Sequence, residues 1–160
     1  MNATQAFMWN LLLAVFWALA VGRVTVGTLM TGFVAGFVTL FLTRRAVGAE
    51  AYLLKIRRAA ILVAYFLLEL VLANLRLAYD ILTPTHHMRP AILAIPIEAK
   101  TDGEITLLAN LISLTPGTLT LDVSADRRTI YIHSMYTYDV EKVRRDIKEG
   151  LEKKILDVTR

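Results

Sequence analysis

The chain contains no cysteine. Disulfides, thiolate nucleophiles and cysteine-ligated zinc are therefore excluded. Proline is scarce: there are four in 160 residues, all between positions 84 and 116. Nothing before residue 84 except glycine interrupts a helix. Acidic side chains are also few in the first part. Residues 1–90 hold three, against eight Lys/Arg; residues 91–160 hold eleven against ten. The net charge of +4 thus belongs to the apolar half, where positive charge beside lipid headgroups is expected. A nucleic-acid surface would need that excess on the polar half, which lacks it. Also missing are a Gly-rich phosphate loop, a Ser-His-acid spacing and a metal-spaced cluster of His and acids. An integral-membrane enzyme is accordingly the least supported class. His86 and His87 are adjacent and fit a surface loop. His133 follows Tyr131 on one strand face and fits a satisfied strand histidine.

Apolar residues are what the chain has in abundance, 56% against 20% charged. Three runs stand out, residues 7–21, 29–42 and 59–75. A secretory leader is not expected from the first, because no basic residue precedes it and a second run follows at once. The first two are short, roughly 22 Å as helices against roughly 30 Å of hydrocarbon. They are joined by GRVTVG, in which Gly22 and Gly27 favour a tight turn. Gly32 and Gly36 form a spacing that lets another helix approach closely. The third run extends into a helix of about 56–82 that Pro84 ends. Its polar residues Arg58, Tyr65, Glu69, Arg76 and Asp80 line up on one side. An ionised carboxylate facing lipid is costly, so this stripe is expected to face partner subunits. Glu69 is either a proton- or cation-handling group or a structural acid paired with a partner helix or Arg76.

From residue 91 the pattern changes. Residues 91–99 read as a strand, with Pro96 favouring an edge. Asp102-Gly103 reads as a turn and residues 104–114 as a helix. Thr118–Val123 alternates, with Leu119, Leu121 and Val123 on one side and Thr118, Thr120 and Asp122 on the other. Residues 124–127 fit a hairpin turn, Thr129–Ser134 a third strand, and 140–156 an amphipathic helix. The expected fold is an integral-membrane α-helical N-terminal half over residues 1–84, a short helical hairpin plus one long helix. A small α+β soluble module follows over 91–160, in the order strand-helix-strand-strand-helix. Between its first helix and second strand lies Thr115-Pro116-Gly117-Thr118, which suits a type II turn with hydroxyls capping the backbone.

That turn lies within LLANLISLTPGTLTLDVS, residues 107–124. Together with IYIHSM at 130–135 and ELVLANLRLAYDILTP at 69–84, it resembles the E-type component of the Mrp (Mnh/Pha) multisubunit cation/proton antiporters. The resemblance covers nearly the whole chain. It implies an accessory subunit of a hetero-oligomeric membrane complex that exchanges sodium for protons, with the main ion path elsewhere and no cofactor. It also implies a cytoplasmic C-terminal module. The basic cluster Arg44, Arg45, Lys55, Arg57 and Arg58 points to the cytoplasm as well. A crossing third helix would put the module on the other side. A stand-alone membrane-anchored sensor or scaffold with a ligand- or protein-binding module is the alternative.

Overall fold

A computed structural model describes residues 2–84 and 88–160 of the chain. His86 and His87 lie outside the described residues. The chain divides into two compact units, residues 1–57 and 58–160.

The first unit holds α1 (Ala3–Ala20), α2 (Val26–Leu42), the short α3 (Arg44–Val47) and the start of α4 (Glu50–Leu82). Both α1 and α2 begin earlier than their apolar runs. Each opens on a reciprocal cap, Asn2 with Gln5 and Thr25 with Thr28, which closes backbone N–H groups that a helix start leaves bare. Their 18 and 17 residues give lengths of roughly 26 Å. Gly22 takes φ +74 in the connection, whereas Gly27 lies inside α2 and has no part in the turn.

The two helices run antiparallel and touch closely. A Cβ on Gly32 would stand 2.8 Å from the Ala14 carbonyl oxygen and 2.9 Å from Trp17 Cβ. A Cβ on Gly36 would meet the Asn10 side-chain oxygen, with Leu13 Cβ at 3.1 Å. The facing stripe on α1 is Ala6, Asn10, Ala14 and Ala18, all buried and spaced by four. Small residues on both sides bring the backbones together, the usual means of association where no hydrophobic effect separates helix from lipid. Asn10 Nδ2 donates to the Tyr52 hydroxyl at 3.1 Å. The Tyr52 ring packs near Phe7 and Phe37, with centroids 6.4 and 6.3 Å away. The start of α4 is thereby closed onto the hairpin.

The second unit contains the rest of α4, then β1 (Ala91–Pro96), α5 (Asp102–Leu114), β2 (Thr118–Val123) and β3 (Thr129–Ser134). The chain ends in α6 (Val140–Arg145), a π-helical stretch (Asp146–Glu152) and α7 (Lys153–Thr159). The sheet order is β1-β3-β2 and both pairings are antiparallel. β1 is an edge strand, where Pro96 leaves no inner ladder bond unmade. Asp102 and Gly103 belong to the first turn of α5 and not to a preceding turn. Thr101 caps that helix reciprocally with Glu104.

The strict alternation expected of β2 holds as far as Leu121 and then breaks, so that Val123 parts from the leucines. Leu119 and Leu121 are 49% and 48% exposed, while Thr118, Thr120 and Val123 turn inward. Two causes combine. The Thr118 hydroxyl donates to the Ile112 carbonyl at 2.6 Å and the Thr120 hydroxyl to that of Ala109 at 3.0 Å, so the threonines are held against α5. A bulge between Thr120 and Asp122 then shifts the register, moving Val123 to the face of the threonines. The core beneath is aliphatic: Leu93, Ile95, Leu108, Ile130, Ile132 and Ile155 are its central members.

The C-terminal helix is not uniform as expected, since π-helical geometry occupies its middle. Its end is fastened by two buried carboxylates. Glu152 accepts the backbone N–H groups of Glu98 and Ala99. Glu104, 5% exposed, accepts those of Lys100 and Thr101 at 2.9 and 3.1 Å and the Thr159 hydroxyl at 2.7 Å. These donors, that of Lys100 foremost, hold the Glu104 carboxyl down at about 2.

Candidate functional site

The sequence assigns the polar stripe of α4 to partner subunits. Within the chain, Arg58, Tyr65 and Arg76 of that stripe meet the module, because the C-terminal helix runs antiparallel beside α4. Arg58 Nη1 donates to the Asp157 carbonyl at 2.8 Å. The Lys154 ammonium lies 3.8 Å over the Tyr65 ring, a cation–π contact. The same ring packs on Gly150, where a Cβ would come to 3.1 Å of Tyr65 Cζ. Glu69 lies one turn from Tyr65, its carboxylate near the Tyr65 hydroxyl. Arg76 stands 5.5 Å over the ring of Tyr136, and Asp80, 1% exposed, lies beside the Tyr136 hydroxyl.

Tyr136 also explains the turn. Gly117 has φ +92, and the Thr118 N–H donates to the Thr115 carbonyl at 3.1 Å, which closes a type II turn around Pro116 and Gly117. The Thr115 hydroxyl donates to the Leu111 carbonyl at 3.0 Å, satisfying one of the open carbonyls of the helix end. A Cβ on Gly117 would stand 3.1 and 3.2 Å from the Tyr136 ring. The missing side chain therefore lets that ring lie against the turn. Its other neighbour is Arg76 of α4. Burial first, then the Asp80 carboxyl, pushes the Tyr136 hydroxyl above the ordinary tyrosine range.

Turn and stripe, read separately in the sequence, thus line one cleft. It encloses about 310 Å³ and is bounded by Tyr65, Glu69 and Arg76, by Thr115 to Thr118, and by Tyr136 and Asp146. Glu69 is placed in this cleft, and Gly32 and Gly36 lie in the hairpin. Sequence reasoning missed Tyr136, which follows β3 in an irregular stretch with no periodicity. It missed Asn10 as well, although the four-residue spacing of Ala6, Asn10, Ala14 and Ala18 carried the signal. Among the described residues, no group of three or more His, Asp or Glu is placed to hold a metal ion. His133 sits opposite Ile92 and Leu119 in the sheet.

Comparison with known proteins agrees with this architecture. The family described as Na+/H+ ion antiporter subunit matches residues 10–158. The chain is 40% identical over 151 residues to the E-type Na(+)/H(+) antiporter subunit of Alkalihalophilus pseudofirmus, covering 94% of this chain and 96% of that protein. The subunit of the same name from Bacillus subtilis matches at 40% identity with the same coverage. Among solved structures, a chain of the Mrp complex from a Dietzia species is 27% identical, with a TM-score of 0.50 over 64% of this chain and 96% of that one. A chain of the membrane-bound sulfane sulfur reductase, an archaeal respiratory membrane complex, shares the fold at TM-score 0.57 and 24% identity, covering 94% of this chain and 96% of that one. With a family match across nearly its full length and a stripe, turn and hairpin that account for its most distinctive residues, the chain belongs to the family of E-type Na+/H+ antiporter subunits.

Proposed function

We propose that this chain is an accessory subunit of a multisubunit Na+/H+ antiporter, needed for assembly or full activity, with the main ion path in other subunits. Its partners are then the other subunits of an Mrp-type complex and the lipid membrane. Its C-terminal module faces the cytoplasm. One observation carries the reading. Across α1, α2 and their connection, Arg23 is the sole charged residue. A proton or cation path through a membrane needs titratable or charged groups in series, and this hairpin offers none. The polar residues of α4 meanwhile serve contacts inside the chain.

The test is the complex carrying Glu69→Gln, with subunit content and sodium/proton exchange measured together. Exchange should fall only in proportion to subunit content. Exchange lost in a fully assembled complex would overturn the reading and assign Glu69 to ion handling. Vesicles containing this chain alone should show no sodium-dependent proton flux above empty vesicles.

A further inference from the structure

We infer that α4 lies along the membrane surface, its outward face in the lipid and the module on its other side, and that it does not cross. By length and composition α4 is apolar enough to cross. Its neighbour forbids it. Arg58 touches Asp157, Tyr65 touches Gly150 and Lys154, and Arg76 touches Tyr136. Wherever residues 58–76 sit, residues 136–157 sit at the same depth. Residues 140–160 carry twelve Asp, Glu, Lys and Arg. Hydrocarbon does not accept such a helix, and the irregular backbone around Tyr136 adds groups that lipid cannot satisfy.

The outward half of α4 is nevertheless built for lipid. At about 100° per residue, Ile61, Leu67, Leu68, Val71, Leu75 and Leu82 share it, and all are exposed. Between Ala60 and Leu82 that half carries no charged side chain. Its one amide, Asn74, donates back to the Leu70 carbonyl of its own helix at 2.7 Å, so it presents no free donor pair to the outside. The last charge on that side is Arg57, with Lys55 just before it, at the end where anionic headgroups would meet them. A broad apolar face, a polar opposite face and basic residues at one end are the marks of an interfacial helix. The partner fitted by this face is the lipid surface itself.

This placement also removes the conflict in the charge pattern. With α4 not crossing, the basic cluster Arg44 to Arg58 and the module share one side of the membrane. The cytoplasm then satisfies both.

The absence of native cysteine makes the test direct. Lys55→Cys and Thr83→Cys, which lie off the lipid-facing half at the two ends of α4, are introduced singly into the assembled complex in native membranes, and only variants that co-purify with the complex are scored. Both sites should react with an impermeant maleimide in inverted vesicles, with labelling lost in right-side-out ones. Labelling of the two sites from opposite sides would overturn the inference. Spin labels at Ala64→Cys, Leu67→Cys, Val71→Cys and Leu75→Cys should all show oxygen access above that of a water-soluble nickel reagent, at one depth along the helix. A depth that changes steadily from one end of the four positions to the other, or peaks between Leu67 and Val71, would mean a crossing helix. Exclusion of both reagents would mean that protein, not lipid, covers the face. Either result would refute it.

Discussion

Gly117→Val perturbs the point where the turn, the third strand and α4 meet. Two costs are separable. A β-branched residue at φ +92 is held in a sparsely allowed region, at about 1–3 kcal/mol. The new Cβ would also stand 3.1 Å from the Tyr136 ring, and overpacking of this kind costs about 1–3 kcal/mol. The sum is roughly 2–6 kcal/mol, a large share of the 5–15 kcal/mol typical of a domain. For a unit of this size each kcal/mol lowers Tm by roughly 4–8 °C, so a fall of about 10 °C or more is expected in the purified subunit. A double-mutant cycle with Tyr136→Ala divides the two terms. In that background Gly117→Val should cost less, by the steric part, and retain the strain. Equal costs in both backgrounds would show that Tyr136 does not rest on the turn, and the proposed link from turn to α4 would fail. In the assembled complex the single variant should reduce subunit content and exchange together.

Gly103, by contrast, has nothing within 4 Å of an added Cβ and lies in the first turn of α5; Gly103→Ala should raise stability by about 0.4–1 kcal/mol, read as a higher Tm. Gly36→Val should part α1 from α2, break the Asn10–Tyr52 bond and cost about 1–3 kcal/mol, seen as lower membrane yield. Gly27→Val, whose Cβ would meet only Thr25 Oγ1 at 3.8 Å, is the tolerated control. Glu104 titrates at about 2 in the folded protein against an ordinary 4.5. Its contribution, on the order of 3 kcal/mol, is therefore present in full above pH 4.5 and is lost as pH falls towards 2. Glu104→Gln should flatten the pH dependence of Tm across that interval and leave the slope above it unchanged.

Much of the fold was legible because local signals were strong. β2 and β3 follow from alternation and turn chemistry, and α4 ends where Pro84 ends it. Helix starts were misplaced because a cap made by Asn2, Thr25 or Thr101 lies outside the apolar run that announces the helix. The grouping of β2 failed at Val123 for a different reason, the bulge between Thr120 and Asp122. Alternation says which residues share a side only while the register holds, and it leaves open which side is buried; here the threonine hydroxyls turn their side onto α5. The site was half legible. Glu69 and Gly117 stand out on chemical grounds, one a charge in an apolar run and the other a glycine after proline. Tyr136 does not, since its role arises only when residues 60 positions apart are brought together.

The three reciprocal caps differ in one respect. Asn2 with Gln5 and Thr25 with Thr28 open the hairpin helices with neutral groups, whereas Thr101 with Glu104 opens the module's helix with a carboxylate. A neutral cap closes the bare N–H groups before the segment leaves water and brings no proton equilibrium with it. The hydrogen bonding at the starts of the two hairpin helices therefore does not change with pH. The charged cap is confined to the module, outside the apolar hairpin.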